Sequence, residues 1–156
     1  MVKIDLDELD RKILNELQVD CRQSLDVMSK KLGVPKSTIY YRIRKLEERG
    51  VIEGYYAKVN PKVIGHEYFT VTLVRAKYGP GYHKKVGEIL SSVPGVWAVY
   101  YVLGDYDFIV IARAKSREEF VRNILERFIS LDEIERTNTI TVVEIFKEDS
   151  RILFEE

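Results

Sequence analysis

The stretch SLDVMSKKLGVPKSTIYYRIRKL, residues 24–46, decides the fold of the N-terminal part of this chain. Its two parts, residues 24–32 and 35–46, each carry apolar side chains at helical spacing on one side. Gly33 lies between them, where a residue that tolerates positive φ ends a helix at the lowest cost. Two short helices joined by so tight a turn are the signature of a helix-turn-helix.

The outward face of the second predicted helix suits nucleic acid. At about 100° per residue, the face opposite Ile39, Ile43 and Leu46 carries hydroxyl, phenol and cationic groups. Such groups bind phosphates and the edges of bases. The candidate DNA-binding residues are Lys36, Ser37, Thr38, Tyr40, Tyr41, Arg42, Arg44 and Lys45.

The positive charge of the chain is concentrated on this motif. Residues 22–50 contain eight Lys or Arg and three Asp or Glu, a net of +5, whereas the whole chain is neutral with 25 of each sign. A charged helix face that is merely solvated does not explain this concentration of positive charge. Such a concentration is typical of a nucleic-acid-binding protein. We expect phosphate contacts from Lys36, Arg42 and Lys45, and base contacts from Ser37, Thr38, Tyr41 and Arg44.

Composition favours a cytoplasmic protein. The single cysteine, Cys21, cannot form an internal disulfide, which suits a reducing compartment. No apolar run approaches the length that spans a membrane, and the N-terminus starts polar, so we expect no membrane partner.

The pattern along the chain predicts three segments. Residues 1–50 form a three-helix DNA-binding domain, with Asp7 as the cap of the first helix. Residues 51–65 form a hinge, in which residues 51–59 are predicted to be a short β segment that packs as a wing or leads away from the helices. Residues 66–156 form a second domain.

The second domain has the order β-α-β-β-α-β, which predicts a ferredoxin-like fold with a four-stranded antiparallel sheet and makes the whole chain α+β. Because parallel crossovers are right-handed, both helices should cover the same sheet face. The second and third strands are apolar on both faces, so a second copy of the chain is expected to cover the other face as a homodimer. The predicted strands span residues 69–77, 96–103, 106–114 and 137–146, and the predicted helices span 82–92 and 118–129.

Several short sequence elements, taken together in order and spacing, resemble the Lrp/AsnC (feast/famine) family of transcription regulators, and archaeal members in particular. The resemblance covers nearly the whole chain. It implies an N-terminal DNA-binding domain and a C-terminal sheet domain that dimerises and often assembles into octamers. The elements are residues 6–14, 37–47, 50–52, Asn60, Pro61, Gly65, residues 94–96 and residues 104–107.

The resemblance also implies an effector site for an amino acid or a related small molecule between dimers. The loop of Gly104, Asp105, Tyr106 and Asp107 has that role in the family, and Thr137 and Thr139 match positions that complete the pocket from a neighbouring subunit. Many amino-acid-responsive members have Thr before this Gly-Asp pair, where this chain has Leu103. A hairpin turn without a ligand also explains a Gly-Asp pair.

The sequence therefore predicts a sequence-specific DNA-binding regulator that responds to an amino acid. One alternative is a small-molecule sensor oligomer that does not bind DNA, which the net charge of +5 on the motif argues against. The other is a ferredoxin-like enzyme that uses Asp105 and Asp107. Neither His66 nor His83 stands at a catalytic or metal-ligand spacing, so we expect no enzyme, no metal and no cofactor.

Overall fold

The computed structural model, which describes residues 4–155, has helices where the N-terminal spacing predicts them. They are α1 (Glu8–Val19), α2 (Leu25–Leu32) and α3 (Lys36–Glu48). Asp7 caps α1 as predicted, since its carboxylate accepts the Asp10 N–H at 2.8 Å and Asp10 accepts the Asp7 N–H in return. Gly33 follows α2 with a φ of 68°, as the turn requires.

The three helices bury one apolar side each in a common core. Burial of these side chains supplies most of the stability of the unit, because short helices are marginal on their own. No helix within residues 4–155 is long and apolar enough to cross a membrane. The fully buried core side chains are Ile13, Leu14, Met28, Ile39 and Leu46.

The β segment predicted over residues 51–59 is wrong, because those residues contain no strand. The backbone N–H groups of Val51 and Ile52 donate to the Leu46 carbonyl at 2.9 and 3.2 Å, and both side chains pack on the helical core. These two N–H groups therefore bond to the end of α3 and are not available to pair with a neighbouring strand. Residues 53–59 have no regular secondary structure.

The chain divides into two units at positions that differ from the sequence-based boundaries. One unit contains the residues up to Lys58 together with the segment from Lys147 onward, and the other is Val59–Phe146. The C-terminal segment thus belongs with the helices and not with the sheet, contrary to the predicted domain of residues 66–156. The physical reason is apolar contact, since Phe154 packs against the helical core.

The second unit has the predicted ferredoxin-like topology. All neighbouring strands are antiparallel, in the order β2-β3-β1-β4. The second helix of the unit contains a π-helical turn, which the sequence did not predict. The elements are β1 (Tyr68–Ala76), α4 (Tyr82–Ser91), β2 (Val96–Tyr101), β3 (Phe108–Ala114), α5 (Arg117–Phe120), the π-helical turn (Val121–Leu125), α6 (Glu126–Ile129) and β4 (Ile134–Thr141).

The last strand lies earlier in the chain than predicted. It was expected over residues 137–146, and it spans Ile134–Thr141. Among residues 4–155 its only neighbouring strand is β1, whose register pairs Thr70 with Thr141 close to the first residue of β1. Beyond Thr141 few residues of β1 remain for β4 to pair with, so β4 ends there.

Both crossovers cover one face of the sheet, as expected. That face contributes Val74, Phe108 and Val110 to a core completed by the helices. The opposite face, called here the open sheet face, is not covered by any element of the unit Val59–Phe146, and its Trp97 and Tyr100 are 53% and 52% exposed. The apolar residues of the open sheet face are Phe69, Val71, Leu73, Trp97, Ala98, Tyr100, Ile109, Ile111 and Ile140.

Gly95, in the turn before β2, is predicted to be irreplaceable for the sheet unit. Its φ is 91°, and an added Cβ would lie 2.9 Å from the Arg113 carbonyl oxygen and 3.0 Å from Ile124. Gly95→Ala should therefore cost about 2 kcal/mol or more of the free energy of unfolding. Urea unfolding followed by the fluorescence of Trp97, the single tryptophan, measures this unit. Gly79→Ala is the control, because Gly79 lies in the same unit and nothing lies within 4 Å of its added Cβ, and an equal loss there would contradict the steric argument.

Candidate DNA-binding and effector sites

The exposed face of α3 carries most of the side chains predicted to bind DNA. Tyr40 and Tyr41 are 57% and 63% exposed, so their rings and hydroxyl groups are accessible to a partner. Thr38 is half-buried. α3 starts after Pro35, and no side chain caps its first turn. The exposed residues of this face are Lys36, Ser37, Tyr40, Tyr41, Arg44 and Lys45.

Arg42 differs from the other cations of α3, because it points back to α1. Its Nη1 donates to the Asp7 carboxylate at 2.5 Å and to the Asp10 carboxylate at 3.1 Å, and its side chain is only 30% exposed. The hydrogen bond that Arg42 donates to Asp7 raises the pKa of Arg42. The structure thus separates Arg42 from the surface on which it was predicted to contact phosphate, and gives it a role in holding α3 against the capped end of α1.

Asp7 completes this arrangement. The Asp10 backbone N–H, together with Arg42, lowers the pKa of the Asp7 carboxyl below its ordinary value of 3.8. A carboxyl with a lower pKa in the folded state stabilises the fold above the unfolded pKa, and loses that contribution as pH falls through the folded pKa. The contact between α1 and α3 is therefore intact at neutral pH.

Arg44 is held by a weaker and more accessible contact. Its guanidinium lies 3.2 Å from Glu47, and its side chain is 56% exposed. Glu47 also accepts the Tyr55 hydroxyl at 3.0 Å, and burial, more than this bond, raises the pKa of Tyr55 to about 12. Exposed ion pairs are worth about 0–1 kcal/mol. Arg44 can therefore exchange Glu47 for a ligand at little cost.

Lys36 also has an acidic partner, which sequence analysis did not identify. Its Nζ lies 2.9 Å from the Asp26 carboxylate of α2, and both side chains are more than half exposed. Such a pair is weak and yields readily to a phosphate. Opposite charges ten positions apart follow no helical repeat, so the sequence carried no signal for this contact.

The predicted effector loop lies at the end of the sheet where β1 stops. Arg75 of β1 donates to the Asp105 carbonyl at 2.6 Å, while Asp105 itself is exposed. The Arg136 guanidinium of β4 stands 5.1 Å from the centre of the Tyr106 ring, a cation–π contact. Leu103, just before the loop, is 91% exposed. Gly104 has a φ of 155°, in a conformation that glycine adopts readily.

Asp107 is a buried structural residue of the sheet unit. It is 5% exposed, and its carboxylate accepts the Ala76 N–H at 2.8 Å and the Tyr82 hydroxyl at 3.1 Å. Hydrogen bonding to the Tyr101 hydroxyl, with burial and Asp107, raises the pKa of Tyr82, so Tyr82 stays protonated and donates to Asp107. This carboxylate therefore fixes the end of β1 and the start of α4.

The two threonines predicted to complete the pocket lie inside β4 and on the helix side of the sheet. Thr137 is paired with Val74, and the Thr139 hydroxyl lies 3.0 Å from that of Thr72. Thr137 therefore lies close to the end of β1 that contacts the loop, whereas Thr139 lies opposite the middle of β1.

The hydrogen bonds of Asp107 also concern the alternative prediction, a ferredoxin-like enzyme that uses Asp105 and Asp107. The carboxylate of Asp107 is engaged by the frame of the sheet, so it is poorly placed to act with Asp105 as an acid–base pair. Among the residues that the structure describes, no group of three or more His, Cys, Asp or Glu side chains is arranged to hold a metal ion.

Comparisons with known proteins match both units. Residues 6–53 match a winged helix-turn-helix DNA-binding family, and residues 71–152 match the Lrp/AsnC ligand binding domain. An HTH-type transcriptional regulator of Pyrococcus furiosus, itself described as uncharacterized, is 41% identical over 152 residues, which cover 96% of this chain and 99% of that protein.

Solved structures have the same fold over nearly the whole chain. AsnC of E. coli is 26% identical with a TM-score of 0.82, covering 94% of this chain and 98% of that one. A feast or famine regulatory protein of M. tuberculosis, in a complex with L-methionine, is 25% identical with a TM-score of 0.84, covering 96% and 99%.

Proposed function

Since this chain belongs to the Lrp/AsnC family of DNA-binding transcriptional regulators, we propose that it recognises a specific DNA sequence through α3 and responds to an amino acid or a related small molecule at the Gly104–Asp107 loop. The observation that carries the DNA half is the exposed face of α3, with two aromatic and several cationic side chains, in the stretch of residues 22–50 whose net charge is +5. The proposed location is the cytoplasm.

In this mechanism α3 enters the major groove of double-stranded DNA. Lys36 and Lys45 contact phosphates, which sets affinity and its dependence on salt. Arg44 and Tyr41 reach base edges, with Ser37, Thr38 and Tyr40 beside them, and these contacts set specificity. Arg42 stays on Asp7 and Asp10 and keeps the helix at a constant angle to α1.

Salt titrations separate these roles. Arg44→Ala is expected to weaken binding to a selected duplex by about 1–3 kcal/mol and binding to random duplex much less, because a base contact is lost. Lys45→Ala should weaken both alike and flatten the slope of log affinity against log salt by about one unit, because a phosphate contact is lost. Selection from a random DNA pool supplies the specific duplex, and fluorescence anisotropy measures both affinities.

Arg42→Ala is the matched control, since it removes one cation from the same helix. Its salt slope should stay at the wild-type value, because the guanidinium is committed to Asp7 and Asp10. A slope flattened as much as that of Lys45→Ala would make Arg42 a phosphate ligand, and unchanged binding by Arg44→Ala and Lys45→Ala together would exclude α3 as the recognition helix.

The open sheet face supports a homodimer, which is the unit from which larger assemblies such as octamers are built. Its apolar residues form a patch that monomeric proteins rarely expose. A second copy offers the same patch, so two copies can bury both with twofold symmetry. Two α3 helices in one dimer would then contact two half-sites on DNA.

A charge on the open sheet face tests the dimer. Ile109→Asp is expected to give a monomer or an aggregate, because an unpaired buried charge costs several kcal/mol. Ile129→Asp is the control, since Ile129 is 67% exposed on α6, away from this face. Sedimentation velocity at micromolar concentration measures the mass of both variants. A dimer that survives Ile109→Asp, or is lost equally in Ile129→Asp, would contradict this interface.

The effector proposal depends on the exposed part of the loop. The carboxylate of Asp105 suits an ammonium group, and nearby backbone N–H groups suit a carboxylate, so the pair fits an α-amino acid. The L-methionine complex of the relative from M. tuberculosis supports this class of ligand. Exposed Leu103 lacks the hydroxyl that Thr would supply, so we expect a narrower ligand set or weaker binding.

A thermal-shift screen of the twenty amino acids tests the loop. A ligand at a hundredfold excess over its dissociation constant should stabilise the protein by about 2.7 kcal/mol. Asp105→Ala should abolish that shift, whereas Asp132→Ala, which removes another exposed carboxylate from the same unit, should keep it. If no amino acid shifts the wild type, or if both variants respond alike, the ligand does not bind at this loop.

A further inference from the structure

The C-terminal residues 148–155, called the tail here, run along the helical unit. The tail contacts the segment that follows α3. Lys58 Nζ donates to the Glu148 carbonyl at 3.0 Å, and the Tyr56 hydroxyl lies 3.4 Å from the Ser150 hydroxyl. The two segments therefore pass side by side in opposite directions. The helical unit is connected to the rest of the chain at two places, after Lys58 and before Lys147.

Two side-chain amides of α1 hold the tail by its backbone. Gln18 donates to the Ile152 carbonyl at 2.7 Å and accepts the Ile152 N–H at 2.7 Å. Asn15 does the same with Phe154, at 2.8 Å in each direction. Residues three apart share a helix face and residues two apart share a strand edge, so the spacings match. An amide carries a donor and an acceptor, and so satisfies both backbone groups of one residue.

One apolar side chain anchors the tail. Phe154 is half-buried and packs against the core of the helical unit, whereas Ile152 and Leu153 are 72% and 51% exposed. Binding therefore depends on the backbone and on a single ring. The contact of the tail with α1 and the helical core, four hydrogen bonds and one ring, is small enough to open without unfolding the helices; the two further bonds, to Tyr56 and Lys58, involve no helix.

We propose that the tail is a latch that closes on α1, supports the position of α3, and opens to weaken DNA binding. Two sets of contacts link the tail to α3. The tail binds Asn15 and Gln18 of α1, and the start of α1 holds α3 through Arg42. The tail is also the covalent continuation of β4, the strand that contains Thr137 and Thr139. The effect of the latch on DNA binding rests on the proposed function, whereas the closure of the latch on α1 does not.

Hydrogen exchange on the full-length chain tests closure directly. The amide protons of Ile152 and Phe154 should exchange at least roughly tenfold more slowly than in an unstructured peptide, because Gln18 and Asn15 accept them. In the double variant Asn15→Ala/Gln18→Ala this protection should disappear. Ala is the best helix former, so α1 itself should persist and its core amides should stay protected. Unprotected tail amides in the wild type would overturn the proposal.

The affinity for a selected DNA duplex tests the consequence. The double variant should bind roughly fivefold more weakly, in the range of coupling between distant sites. Ile152→Ala is the matched control and should bind as wild type does, because it alters an exposed side chain and keeps the backbone that Gln18 holds. Equal affinity of the double variant and the wild type would overturn the latch as a DNA-binding device.

A conservative pair of variants guards against a general loss of folding. Asn15→Asp and Gln18→Glu keep the size and the acceptor of each amide and remove its donor, so each should give partial release and an intermediate affinity. A full loss of protection throughout α1 in these variants would mean that the residues stabilise the helix and not the latch, which overturns the proposal. If the wild type has protected tail amides but binds no duplex, the proposed function fails while latch closure stands.

Discussion

The right-handed crossover is the constraint on which the architecture of the sheet unit depends, because it sends both helical segments to the same side of the sheet. Val74, Phe108 and Val110 become a closed core on that side, and a second apolar face remains on the other. One geometric rule thus produces a stable unit and an apolar surface, which is the face of the proposed homodimer. A chain with alternating polar residues in β2 and β3 could fold in the same way without that surface.

The helical unit is organised by charge as well as by its core. Asp7 caps α1 and also accepts Arg42 from α3, so one carboxylate links the start of one helix to the middle of another. Arg44 pairs only with Glu47 at an exposed position. Cations of α3 therefore divide into one that maintains the arrangement of helices and others that remain available to a polyanion, although all of them look equivalent in the sequence.

The Gly104–Asp107 loop, the proposed effector site, shows a similar division. Asp107 is buried and binds the end of β1 and the start of α4, while Asp105, two residues earlier, is exposed. The buried carboxylate fixes one end of the loop, and the exposed one is left for the ligand in the proposed function.

The sequence by itself determined the helix-turn-helix, the order of four strands and two helical segments, and the sheet that is apolar on both faces, because these follow from local periodicity and turn residues. It also located the exposed face of α3 and the loop at residues 104–107. Only the tertiary structure decided the partners of Arg42, which lie 35 and 32 positions away, the absence of a strand in residues 51–59, and the placement of Phe154 on Asn15, 139 positions away. Contacts between such distant residues depend on how elements pack in space, and they leave no repeating pattern in the chain.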